Sequence, residues 1–276
     1  MKKNVLLLAI CCIGSFASTA QGWVPMGARS MSMANASTTL NDVWAYHHNP
    51  GALGDIDQVT AGISYENRFL LRELQSQGFA VAIPLKVGVI SMGGQIYGYE
   101  QFKTYKGGLG YSMRLADKLF AGVQLNYMGL RLPESYGSKS SMTAEAGIYA
   151  KFTDNWKMGF SVYNIGRAKL SEFADDRFTT IMRIGTAYTF SEKVILAIDV
   201  EKSIDYDLRV KSGIEYEVIN NFYLRGGFAT TPVELSFGLG YQWKQIQLGI
   251  GSSFHQTLGW SPHFALSYHG PKKEAK

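Results

Sequence analysis

The chain has 276 residues, 46% of them hydrophobic and 18% charged, with 27 basic side chains against 22 acidic ones. That length holds one large domain or two small ones. The basic excess is too mild for a nucleic-acid binder, and no apolar run reaches the roughly 18 residues of a transmembrane helix.

In chain order, residues 1–20 read as a secretory signal peptide. Lys2 and Lys3 form the basic start, Val5 to Ile13 the apolar run, and Ser18 and Ala20 the small residues of a cleavage site. The mature chain is then expected to begin at Gln21. Cys11 and Cys12 both lie inside the leader. Ile10 and Cys11 stand where a lipoprotein signal wants a small residue. The mature protein therefore has no cysteine, and backbone pairing and packing alone must hold it.

Residues 21–57 differ from everything after them. The stretch "SMANASTTLNDVWAYHHNPGALG" is rich in Ala, Ser, Thr and Asn and shows no alternation. Small residues at Ala34, Ala36 and Ser37 suit a short helix packed closely against a glycine-rich wall. Asn41 or Asp42 can cap a second helix through Val43–His47. Pro50 forces Asn49 out of the helical region, and Gly51 and Gly54 turn the chain onward. Val43, Trp44 and Tyr46 give this segment more apolar bulk than a disordered leader carries.

Residues 58–270 alternate. Val233, Leu235, Phe237, Leu239, Tyr241 and Trp243 share one parity, and Glu234, Ser236, Gly238, Gly240 and Gln242 share the other, which is the period of a strand. Fourteen strands are expected, near 59–69, 77–85, 87–98, 105–114, 119–130, 141–152, 156–164, 178–190, 194–201, 208–218, 222–229, 233–243, 246–254 and 263–269. Tight turns alternate with longer segments such as 131–140 and 166–177. Aromatic residues gather beside the tight turns: Phe152, Trp156, Phe190, Phe222, Tyr241 and Trp243. A soluble β-sandwich also alternates. The even count, the aromatic girdle and the secretory leader instead favour an all-β, transmembrane antiparallel barrel of about 14 strands with a short N-terminal helical plug.

Two consequences follow from that architecture. A cation on the lipid face costs ~2–4 kcal/mol near the midplane, so Arg183, Arg209, Lys211 and Arg225 should face the lumen. Glu215, Glu217 and Glu234 are expected to pair with them across strands. A barrel this wide cannot be filled by its own side chains, so residues 22–55 are expected to plug it. The basic tail 271–276 is expected to be solvated.

No catalytic, metal or cofactor site is expected. Ser253 with His255, and His263 with Ser267, pair by strand spacing alone, and no hydrolase motif surrounds them. His47 and His48 are adjacent, so they point apart, and no carboxylate cluster completes a metal site.

The hatch residues carry a resemblance. "GARSMSMANASTTLNDVWAYHHNPGAL", with Gly27, Arg29, Asp42, Trp44, Asn49 and Pro50, resembles the N-terminal hatch of the FadL-like outer-membrane barrels and looks closest to the PorV/PorQ branch. The resemblance implies a plugged barrel in the outer membrane of a Gram-negative bacterium, surrounded by outer-membrane lipids. It also implies one of two roles. FadL-type members pass small hydrophobic molecules through the lumen to a lateral gap, and their ligand is such a molecule. PorV/PorQ-type members are subunits of the type IX secretion machinery, with envelope or secretion-complex proteins as partners. Transport of a hydrophobic molecule is the leading expectation. The brief loops and charged lumen favour the subunit role.

Overall fold

The computed structural model describes residues 25–132, 137–169 and 177–271. The expected signal peptide, Gln21 and residues 272–276 of the tail lie outside the described residues, as do parts of the segments 131–140 and 166–177.

Alternation along the chain becomes a wall. The strands are β1 (Thr60–Asn67), β2 (Gln75–Pro84), β3 (Val89–Gly98), β4 (Lys103–Ala116), β5 (Leu119–Arg131), β6 (Ser138–Lys151), β7 (Trp156–Tyr163), β8 (Ile181–Ser191), β9 (Val194–Ser203), β10 (Arg209–Ile219), β11 (Phe222–Ala229), β12 (Glu234–Trp243), β13 (Ile246–His255) and β14 (Gly259–His269). Each pairs antiparallel with its sequence neighbours, and β14 returns to β1 with His269 opposite Thr60. The closed barrel leaves no open edge for hydrocarbon to meet, which is what a sheet in a bilayer requires.

The two parities separate cleanly. Leu224 on β11, Leu239 on β12 and Ile250 on β13 lie side by side and point outward, exposed. Ser236, Ser253 and Ser267 point inward and are buried. The apolar exterior is the lipid face. Leu239→Arg should therefore lower barrel stability by ~2–4 kcal/mol, read as a fall in the urea midpoint in phospholipid vesicles. An unchanged midpoint would mean this face meets water.

Connections at the end holding Thr60 and His269 are tight. Asn221 and Lys244 adopt φ of 69° and 53° within the two-residue links β10–β11 and β12–β13, the left-handed geometry that matches strand twist. Aromatic residues ring this end. Phe152 stacks on Trp156 with centroids 4.9 Å apart, and Tyr188 meets Phe190 edge-on at 4.9 Å.

Strand starts at the other end differ from the sequence reading. The β8 ladder begins at Ile181 rather than 178, because Phe178, Thr179 and Thr180 fold into the barrel mouth and are buried. Asn164 Nδ2 donates to the Phe178 carbonyl at 2.7 Å and holds that turn in. The β6 strand begins at Ser138 and β14 at Gly259, both earlier than their apolar alternation indicates.

The hatch also departs in detail. Its first helix, α1, is Ala28–Ser32. The expected helix around Ala34–Ser37 is absent. Ala34 and Asn35 take φ of 52° and 60° and reverse the chain instead. The second, α2, is Ala45–His48, shifted from Val43–His47. Asp42 Oδ1 accepts from Trp44 N at 2.9 Å, one step ahead of the helix. Asn49 is extended, as a residue before proline must be. Gly51 and Gly54 fall within a 3-10 helix, Pro50–Asp55, rather than in simple turns.

Candidate functional site: the lumen and its hatch

Residues 25–56 fill the lumen. Met26, Ala28, Met33, Val43, Tyr46 and Leu53 are fully buried there. Close approach is made possible by inward glycines. A Cβ at Gly93 would overlap the Tyr46 ring, and one at Gly147 would overlap the Asn49 side chain.

Side-chain bonds then fix the hatch around the whole circumference. Gly27 N donates to Ser64 Oγ on β1 at 3.1 Å. Trp44 Nε1 donates to Ser267 Oγ on β14 at 3.1 Å. Ser32 Oγ lies 3.0 Å from His263 Nε2 on the same strand. Tyr46 Oη donates to the Gly93 carbonyl on β3 at 3.0 Å. Ser112 Oγ on β4 donates to the Pro50 carbonyl at 2.6 Å. Asn49 uses its whole amide. Nδ2 donates to Thr38 O at 2.7 Å and Ile148 O on β6 at 3.0 Å, while Oδ1 accepts from Gly51 N. The adjacent histidines are packing residues here. His48 Nε2 lies 2.8 Å from Met26 O and His47 Nε2 3.2 Å from Phe79 O. Burial, and then the nearby Arg183, push the His48 imidazole down to about 3, so it is neutral. Among the described residues no cluster of His, Cys, Asp or Glu has the makeup of a metal site.

The charges are concentrated on one side of the wall. Arg29 of α1 places Nε and Nη2 on the two Glu215 oxygens at 2.9 and 2.6 Å, a bidentate pair. Arg225 Nε donates to the same carboxylate at 2.6 Å, and Arg29 Nη1 reaches Asp42 at 3.3 Å. One strand on, Glu201 receives Lys211 at 2.6 Å and Arg183 at 3.1 Å, and Arg183 Nη1 donates to the His48 carbonyl at 3.1 Å. Arg209 pairs with Glu234 at 2.7 Å toward the far mouth. Glu217 stands apart from this network, its Oε1 accepting Asn221 N at 2.8 Å in the β10–β11 turn.

Sequence reasoning missed two anchors. Asp199 on β9 accepts Ser37 N, Thr38 N and Thr38 Oγ1 at 2.8, 2.9 and 2.7 Å through a single oxygen. Lys106 on β4 and Glu145 on β6 form a buried pair at 2.5 Å, with Asn126 donating to the same carboxylate. Their inward parity was the available signal. Asp199→Ala leaves two backbone donors buried and unbonded, at about 1–3 kcal/mol each. Amide exchange at Ser37 and Thr38 should rise while barrel amides stay protected. Unchanged exchange would show that Asp199 does not hold the hatch.

His255 Nδ1 accepts Thr257 N and Leu258 N, both at 3.2 Å, closing the β13–β14 turn.

A closed, even-stranded barrel with an apolar belt, a polar lumen and a resident plug is a β-barrel of the Gram-negative outer membrane. Its short-turn end is the periplasmic end. No protein-family model matches the chain, and no curated protein sequence does. Solved structures do. The toluene transporter TodX of Pseudomonas putida is similar with a TM-score of 0.66 and 14% identity, over 93% of this chain and 100% of that one. The Ralstonia pickettii toluene transporter TbuX gives 0.64 and 13%, over 92% and 100%. A Pseudomonas aeruginosa FadL homologue gives 0.60 and 12%, over 92% and 100%. At such identities the likeness is one of fold, and the fold is FadL-like.

Proposed function

We propose that this barrel passes small hydrophobic molecules across the outer membrane. The observation that carries the reading lies inside the lumen, at its extracellular end. Met128 on β5, Tyr163 on β7, Phe178 of the mouth and Ile181 on β8 form a buried apolar cluster there, where an outer-membrane barrel's interior is ordinarily polar. It sits beside the shortest seam of the wall. β6 has 14 residues and β7 only eight, and they register over six pairs, Ala146–Lys151 against Lys157–Val162. An apolar molecule entering from outside would meet this cluster, find the hatch below it, and leave sideways where the wall has least pairing. The FadL-like fold supports the reading, since neighbours of that fold are toluene transporters.

A second reading has its own observation. The periplasmic mouth holds a polar bowl of about 810 Å³ lined by Arg29, Asp42, Asp55, Lys151 and His269, among others. That chemistry suits a polar segment of a periplasmic protein, as a PorV/PorQ-like subunit of a type IX secretion or envelope-assembly complex would need.

Purification in mild detergent after crosslinking, with mass spectrometry of bound small molecules and proteins, separates the two. The transport reading expects an apolar molecule that is lost in Phe178→Asp. Stoichiometric envelope proteins with no bound ligand would replace it with the second reading.

A further inference from the structure

We infer that the outer face of β3–β5 carries a binding site for a phosphorylated glycolipid of the outer leaflet. This inference is independent of what passes through the lumen. Lys103, the first residue of β4, stands directly opposite Arg131, the last of β5. Both share the outward parity of the lipid face. Two steps along β4 from Lys103 lies Tyr105, and further on the same face are Leu109 and Tyr111; below Arg131 come Tyr127 and Leu125, all outward or exposed.

Like charges directly opposite on a sheet repel and destabilise the pair. Among the described residues no carboxylate lies within ion-pair distance of either, and a phosphate from outside the chain can supply the counter-charge. An Arg and a Lys presented together suit a phosphate, the Arg by its planar fork and the Lys as a point charge.

The apolar half of such a lipid also has a place. A groove of about 970 Å³ crosses the wall from β13 and β14 over β1 and β2 to β5, with Phe79, Ile96, Tyr105 and Tyr127 lining the end nearest the two cations. Gly107, on the outward parity of β4, leaves its floor open, while the Phe79 ring covers Gly94 across the β3–β4 pair. Strand rise places Gly107 roughly 13 Å below Lys103. The cations therefore sit at headgroup depth and the groove at acyl depth. Tyr105 and Tyr127, with ring centroids 6.1 Å apart, mark the boundary between them. The committed occupant is thus an acylated, phosphate-bearing glycolipid, its phosphate on Lys103 and Arg131 and one chain over Gly107.

The test uses the full barrel reconstituted in phosphatidylcholine vesicles doped with bis-phosphorylated lipid A or its dephosphorylated form. Lipid retained through mild-detergent extraction is counted by mass spectrometry. Wild type should retain the phosphorylated lipid about tenfold or more over the dephosphorylated one, as expected for loss of charge-assisted bonds. The double variant Lys103→Ser, Arg131→Ser should lose that preference. Gly107→Trp should reduce retention of both lipids by filling the groove. A Cβ there meets nothing nearer than the Gly93 carbonyl at 3.8 Å, so the wall can accept it. Heat-modifiable gel mobility checks that each variant is folded, and the two-lipid comparison in wild type stands without any variant. Equal retention of the two lipids overturns the proposal, as does undiminished retention in the double variant. Displacement by inorganic phosphate alone, with Gly107→Trp indistinguishable from wild type, would also overturn it, leaving a site for free anions.

Discussion

Deleting residues 27–50 should convert a silent barrel into a conducting one in planar bilayers. In the intact lumen the hatch is buried against the strands and its backbone meets inward glycines with no intervening side chain. Fourteen strands enclose more space than wall side chains can fill. Removing the hatch leaves Arg183, Glu201, Lys211, Glu215 and Arg225 facing that space. These already pair among themselves, so the lumen would hydrate rather than collapse. The ladder of the wall does not pass through the hatch, so the deletion should remain folded and heat-modifiable. Equal conductance before and after, in a folded variant, would mean that something other than 27–50 closes the pore.

The second large effect centres on Glu215. Replacing it with Leu leaves Arg29 and Arg225 without the carboxylate they share. Breaking a buried pair by removing one partner costs about 3–5 kcal/mol. The strain falls on the hatch, since Arg29 is the hatch side chain paired with Glu215 while Arg225 is fixed in β11. Glu215→Leu should therefore give flickering current and make Arg29 accessible to trypsin. The triple variant Arg29→Met, Glu215→Leu, Arg225→Met should restore a silent barrel, because an apolar replacement of a whole buried ion cluster is often neutral or better. If the single variant is as silent and trypsin-resistant as wild type, the cluster is not what holds the hatch shut.

Period-two alternation made the wall legible because each outward residue must be apolar and each inward one need not be. Val233 to Trp243 could hardly be read otherwise. The limits of that signal are physical. Ser138–Ser140 extend β6 above the bilayer, where no hydrocarbon demands an apolar parity, so the strand start was invisible. Phe178 is apolar and in phase with β8 yet belongs to the mouth, because Asn164 draws it inward. The lumen cations were placed inward by the cost of facing lipid, but their partners depend on barrel closure and hatch docking. Arg29 and Glu215 are 186 positions apart, and no local pattern joins them. Within the hatch, the small residues around Ala34 indicated close packing correctly in kind. The left-handed reversal at Ala34 and Asn35 replaced the expected helix because the chain must turn there beneath β10 and β11.

The inward glycines make the lumen a cast of one particular insert. Gly93 is the imprint of Tyr46, and Gly213 and Gly227 are the imprint of Met33 and the backbone beside it. A cast and its insert cannot drift independently. Any lineage that thickens the wall at one of these points must thin the hatch at the matching one, in the same step or through an intermediate that leaks. Hatches exchanged between barrels of this shape should consequently fail even where both folds superpose, and amino-acid changes on the two sides should be found in pairs.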